Sequence, residues 1–208
     1  MEPCALSDLS PAIALFEFGS ISAGIVAGDA MIKAAPLSAI YAGSVHPGKY
    51  LVMVAGDTAS VEVAVAVGHE SGSEAVSDFV FLADIDPSVS AAVTGNATRG
   101  AVGDEALGIV ETASVAAVLD AADAGAKAAD VNLAAIRLAD GLGGKGYVLF
   151  SGTVANVEAS VEAAVARADS HGTLIRSDLI AQLHEEMADN LRGDLHFLKR
   201  VTSGPGVP

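Results

Sequence analysis

A chain of 208 residues, 51% of them apolar, can build one large domain or two small ones around a sizeable core. Aromatics make up 4% and Trp is absent, so Ala, Val and Gly fill that core, which speaks for tight packing and against a roomy cavity lined by rings. The net charge of -15 repels phosphate and argues against nucleic acid and anionic membrane as partners.

The chain opens with MEPCALSDLS, which is acidic and gives no support for a secretory signal. Its Cys4 is the sole cysteine, so no internal disulfide forms, which fits a reducing interior. An apolar run over residues 13–18 predicts a strand. Ser20 then caps an Ala-rich helix predicted to run to Ala35. Two apolar strands follow, joined by the turn SVHPGKY, residues 44–50. A second helix carries Val61, Glu62 and Val65, and VSDFVFLADI reads as a last strand. The longest stretch free of Asp, Glu, Lys and Arg spans residues 34–48. It is broken by Pro36 and Pro47 and is too short for a membrane span of about 20 residues. Such apolarity without a membrane segment predicts burial between subunits as well as within one.

After TGNATRGAVGDEA, residues 94–106, the pattern starts again. ALFEFGSISAGIVAGDAMIKAA aligns with GIVETASVAAVLDAADAGAKAA, matching Glu17 with Glu111, Ser20 with Ser114, Asp29 with Asp123 and Lys33 with Lys127. GKYLVMVAGDTASVEVAV aligns with GKGYVLFSGTVANVEASV. Each copy reads β-α-β-β-α-β, an order that resembles a ferredoxin-like unit. The predicted fold is α/β with two tandem domains, over residues 12–95 and 105–198. SVHPGKY and DGLGGKGY lie at the tips of the two central hairpins.

Few residues point to chemistry. GLGGKG, residues 141–146, is followed by a strand, YVLFSG, where a phosphate loop needs a helix N-terminus, so it reads as a hairpin turn whose glycines allow positive φ. HEEMADN lacks the second histidine of the zinc-protease motif, since position 188 is Ala188, and His184 reads as a solvated helix residue. His69 and Glu70 adjoin at a helix end and point apart. Asp29 with Lys33, and Asp123 with Lys127, have the i,i+4 spacing of helix ion pairs. Glu17 and Glu111 end apolar strands before a helix, placed to cap nearby N–H groups. No nucleophile, base and acid recur at suggestive spacing, so no catalytic residue is assigned and an enzyme is not expected.

LGIVETASVAAVLDAADAGAKAADVNL and GLGGKGYVLFSGTVANVEASVEAAV strongly resemble the bacterial microcompartment shell domain, and residues 12–70 resemble it again. The fused pair resembles the tandem-domain shell proteins, most of all those of the propanediol-utilisation type. The resemblance implies a trimer that mimics a hexagonal tile and packs edge to edge with other shell proteins, in the cytoplasm, around a lumen of enzymes. It places Lys33 and Lys127, with Asp29 and Asp123, at the tile edge. It places Ser44, Val45, His46, Pro47 and Gly48, with Asp140, Gly141, Leu142, Gly143 and Gly144, around a central pore for small polar metabolites. Two departures stand out. The family's Pro-x-Pro-His stretch after the last strand is reduced to His184 in copy two, with Asp86 in its place in copy one. Where some tandem relatives place a cysteine that holds an iron–sulfur cluster, this chain has His46, so no such cluster and no other cofactor is expected. Two alternatives stay open: a metal or redox conduit formed by His46 from three chains, and a trimeric small-molecule sensor.

Overall fold

The computed structural model describes residues 11–93, 105–139 and 141–192. Copy one runs β1 (Ala12–Phe18), α1 (Ile21–Ala34), β2 (Ala39–Val45), β3 (Lys49–Gly56), α2 (Thr58–Gly72), β4 (Val76–Leu82) and α3 (Pro87–Val93). Copy two repeats it as β5 (Ala106–Thr112), α4 (Val115–Ala128), β6 (Asn132–Leu138), β7 (Gly146–Gly152), α5 (Val154–Ser170), β8 (Leu174–Ile180) and α6 (Glu185–Arg192). The sheets are antiparallel, in the orders β2-β3-β1-β4 and β6-β7-β5-β8. The repeat and the β-α-β-β-α-β order read from the sequence are both present. Residues 94–104, Cys4, Asp140 and the stretch beyond Arg192 lie outside the described residues.

Each main helix starts where an oxygen meets its first free N–H groups. The Ser20 hydroxyl accepts from Ala23 N–H at 3.4 Å and the Ser114 hydroxyl from Ala117 N–H at 3.2 Å. Asp57 accepts from Ser60 N–H at 3.0 Å, and the Ser60 hydroxyl and N–H together hold its carboxyl below the usual range. Thr153 accepts from Asn156 N–H at 3.3 Å. Helix α3 is an addition to the expected elements, and α6 is the helix expected around His184. At 7 residues α3 is too short for a clear helical period. His184 is corrected by this: it precedes α6, and its Nδ1 accepts the Glu186 N–H at 3.3 Å, so it starts the helix and does not ride on it. His69 stands edge-on to Phe16 and Phe79.

Strand β1 is buried along its whole length. Alternate side chains leave a strand on opposite faces, so both faces must be covered. Phe16 and Phe18 point with Val52 and Val54 into a core closed by Met31 of α1 and Val61 of α2. Ile13 and Leu15 point the other way with Met53, Val80 and Leu82. That second face is covered by α4, whose Val115 and Leu119 are fully buried in the same cluster. The two copies therefore share one core across a seam. Full burial of a side chain such as Leu119 stabilises by about 2 kcal/mol.

Candidate functional site at the seam and the two turns

The central hairpin of copy one turns through His46, Pro47 and Gly48, with a cis His46–Pro47 peptide. Gly48 N–H donates to the Val45 carbonyl at 2.9 Å, and Gly48 sits at φ 105, open to glycine at no steric cost. His46, Pro47, Gly48 and Ser44 are exposed and Val45 is half-buried. In copy two, Gly141, Gly143 and Gly144 all have positive φ, as the hairpin reading of GLGGKG predicts. Leu142 is half-buried, and Asp140 lies outside the described residues.

The two turns meet. A side chain built at Gly144 would stand 3.0 Å from Pro47 Cδ and 3.2 Å from the His46 carbonyl. Only a glycine lets the copy-two backbone come so close while holding φ 86. The turn residues singled out in each copy thus sit at one place in the fold.

Immediately behind the turns lies Glu17. A bulge in the β1–β4 pairing between Glu17 and Phe18 re-aims the end of the strand, and its repeat partner Glu111 has the same bulge before Thr112. Glu17 is fully buried. Its Oε1 accepts the N–H groups of Val115 and Ala116 at 2.5 and 2.8 Å, and its Oε2 accepts from Lys49 Nζ at 2.8 Å. A carboxylate on a helix N-terminus is stabilised both by hydrogen bonds to charge and by the helix dipole. The expected local cap is corrected here: the helix that Glu17 caps is α4 of the other copy, and Lys49 ties the same carboxylate to the central hairpin of copy one. Glu111 instead meets Lys145 Nζ at 2.9 Å.

A second polar group closes the seam. His171, just after α5, has Nδ1 2.9 Å from Asp78 of copy one and Nε2 3.0 Å from Asp120 of α4. Arg167 also binds Asp120, at 2.8 Å, and the Ser114 hydroxyl donates to Asp78. Burial alone would push the imidazole pKa down, but hydrogen bonds and charge from Asp78 and Asp120 outweigh it and raise the value above 6.5. A carboxylate at each nitrogen favours the ring that donates from both. Ser114 apart, none of these residues has a counterpart of like chemistry in the repeat, so the alignment that revealed Glu17 could not reveal them.

The two lysine pairs differ. Lys33 and Asp29 form an exposed pair at 2.5 Å. Asp123 is buried: its Oδ1 accepts the Asp86 N–H of copy one at 2.7 Å and its Oδ2 meets Lys127 at 2.8 Å. Lys127 also donates to the Asp84 carbonyl. Asp123 therefore belongs to the seam, while Lys127 keeps part of its side chain in solvent. Among the described residues no group of three or more His, Cys, Asp and Glu is placed to hold a metal within one chain. Among the same residues no helix is long and apolar enough to cross a membrane.

The family model of the BMC domain matches residues 12–84 and again 106–183. The bacterial microcompartment shell protein PduT of Citrobacter freundii is 37% identical over 179 residues, which is 86% of this chain and 96% of PduT. A microcompartments protein from Desulfitobacterium hafniense DCB has a TM-score of 0.74 at 38% identity, covering 86% of this chain and 99% of that one. A fused permuted hexameric shell protein of the RMM microcompartment, at 22% identity and a TM-score of 0.56 over 77% of this chain and 85% of its own, shares the fold.

Proposed function

The chain belongs to the BMC-domain family of bacterial microcompartment shell proteins, two copies in one polypeptide, and from that premise we propose how it builds and perforates a shell. It is a structural shell protein. In our reading three chains close into a ring of six BMC domains, a tile that packs against other shell proteins in the cytoplasm. The turns at residues 44–48 and 140–144 line its central opening, with His46 as a polar constriction for small polar metabolites. No catalytic residue and no cofactor belong to this reading.

The observation that carries it is the contact of the two turns, Gly144 against Pro47 and the His46 carbonyl. Copies of one hairpin from both domains converge on one place, as a ring around an axis requires. The rival readings draw no support from the relatives: neither a conduit at His46 nor a sensor is named among them. The groove of about 420 Å³ beside the first turn is lined mainly by apolar side chains such as Leu15, Leu51, Met53 and Leu138, with the hydroxyls of Tyr41 and Ser44 and no charged group.

The tile-edge proposal rests on Lys33 and Lys127, which carry positive charge on the surface of a chain of net charge -15. Electron microscopy of the purified protein is expected to show sheets or tubes. Changing Lys33 to Asp and Lys127 to Gln is expected to leave the ring folded, with a small loss where Lys127 pairs with the buried Asp123, and to abolish the sheets, because a rim stripped of its positive charge repels its neighbour. Sheets that persist at moderate salt would remove the lysines from the edge. Metal analysis beside a His46→Ala variant checks the constriction, since metal lost in the variant would overturn it.

A further inference from the structure

One polar cluster departs from the repeat. Helix α5 has 17 residues where α2 has 15, and the extra length, about 3 Å, ends in His171. Asp120 stands where α1 has Val26, Arg167 where α2 has Ser71, and Asp78 where β8 has Arg176. The His171 side chain is 12% exposed. It lies between a carboxylate of copy one, Asp78, 2.9 Å from Nδ1, and a carboxylate of copy two, Asp120, 3.0 Å from Nε2.

An imidazolium has two N–H groups and fills both positions. A neutral imidazole has one, so it turns a lone pair toward one of the two carboxylates. Each aspartate keeps other donors. Asp78 accepts the Ser114 hydroxyl and, at 2.8 Å, the Phe79 N–H, while Asp120 accepts Arg167 Nε at 2.9 Å. None of these removes the repulsion between a lone pair and a carboxylate oxygen in contact, sheltered from water. A cleft of about 260 Å³ runs beside the imidazole, bordered by Phe79 and Phe81 of copy one and by Asp120, Arg167 and Ser170 of copy two. It has room for water, which resolvates the carboxylate once the end of α5 draws away from β4.

We propose that His171 is a proton-operated latch between the two copies: with both nitrogens protonated it bridges Asp78 to Asp120, and when one proton leaves, the end of α5 moves off β4 and the cleft beside Phe79 opens to water. The latch lies inside one chain and does not depend on how chains assemble. The charged side chains facing the imidazole are Asp78 from β4, Asp120 from α4 and Arg167 from α5. Burial pushes the imidazole pKa down, but hydrogen bonds and charge from Asp78 and Asp120 outweigh it and raise it above 6.5. The latch is therefore closed below that ordinary value and opens as pH rises through the raised one.

Two amides at matching places in the copies report on it. Ala113 N–H, next to Ser114, donates to the Thr173 carbonyl at 2.8 Å, and Gly19 N–H donates to the Ala75 carbonyl at 2.8 Å in copy one, where residues 71–75 hold no histidine. Hydrogen exchange of the full chain, followed amide by amide from about pH 5.5 to about pH 8.5 and corrected for the exchange of an unstructured peptide, tests the latch. Protection at Ala113 is expected to fall about tenfold across the range, the size of one lost hydrogen bond to a charged group, while protection at Gly19 holds steady. His171→Gln, which takes up no proton, is expected to level the Ala113 profile. A level Ala113 profile in the wild type would overturn the latch, as would an equal fall at Gly19. A fall that persists in His171→Gln would take the histidine out of it.

Discussion

Helices α1 and α4 are 14 residues each, start from the same serine cap and carry the same D-x-x-x-K-A ending, yet they live in different surroundings. Ten residues of α4 are buried against four of α1. The difference comes from what each helix meets. The second copy follows the first in the chain and docks on its open sheet face, so α4 has a second neighbour that α1 lacks. A shared pattern specifies the helix, and the seam specifies how much of it is hidden. Where the two copies diverge, at Asp120 against Val26, the divergence tracks the partner: a charged clamp inside the chain, bare aliphatic surface outside it.

The strongest way to break the comparison is Glu17→Ala. It strips two helix N–H groups and Lys49 of a buried acceptor, and a loss of about 3 kcal/mol of unfolding stability is expected. Because all partners lie in one chain, the part due to this seam should not change with protein concentration. Denaturant unfolding at two concentrations checks both points, and a loss under about 1 kcal/mol would show the contact to be weak.

His171→Gln sharpens the comparison at intermediate strength. The imidazole titrates higher in the fold than its ordinary 6.5, so its contribution is full below that value and fades as pH rises through the raised folded value. The charged and titratable groups facing it are Asp78, Asp120 and Arg167. Wild type should therefore exceed the variant in stability most at about pH 5.5 and least at about pH 8.5. Unfolding measured across that range with an unchanging gap would mean that the clamp works with a neutral ring.

The smallest effect separates the lysines. Lys33→Ala should cost about 0.3 kcal/mol, an exposed helix pair, whereas Lys127→Ala should cost about 1 kcal/mol, since Lys127 also holds the Asp84 carbonyl and the buried Asp123. Equal losses in thermal unfolding would erase the distinction between an open and a filled seam.

The repeat made much of this legible from residues alone. Glu17 and Glu111, the Gly-Lys hairpins and the paired lysines marked the strands, the first helices and the turns. The glycines of residues 141–144 were rightly taken for a turn because a strand follows them. What stayed hidden depends on distance. The sequence could place Glu17 beside a helix start, but the nearest start is α1, and the one it caps is 98 residues away. His171 gave no signal because its two aspartates lie on different copies and neither recurs. Asp123 looked like half of a surface pair because its third partner is a backbone N–H of copy one. Helix α3 escaped because its 7 residues, about two turns, carry little periodicity.

Fusing the two domains has a consequence for assembly. In a ring of six identical subunits every joint is the same, so a joint built from two aspartates, a histidine and an arginine would appear six times. With two domains per polypeptide, the joint holding His171 forms inside one molecule, where its halves see each other at an effective concentration on the order of millimolar whatever the cell holds. In the ring proposed above, three joints are then settled when each chain folds, and only three are left to chance encounter. The pH sensitivity of the histidine joint acts on units already made, and the encounter joints, free of that histidine, can close independently of it.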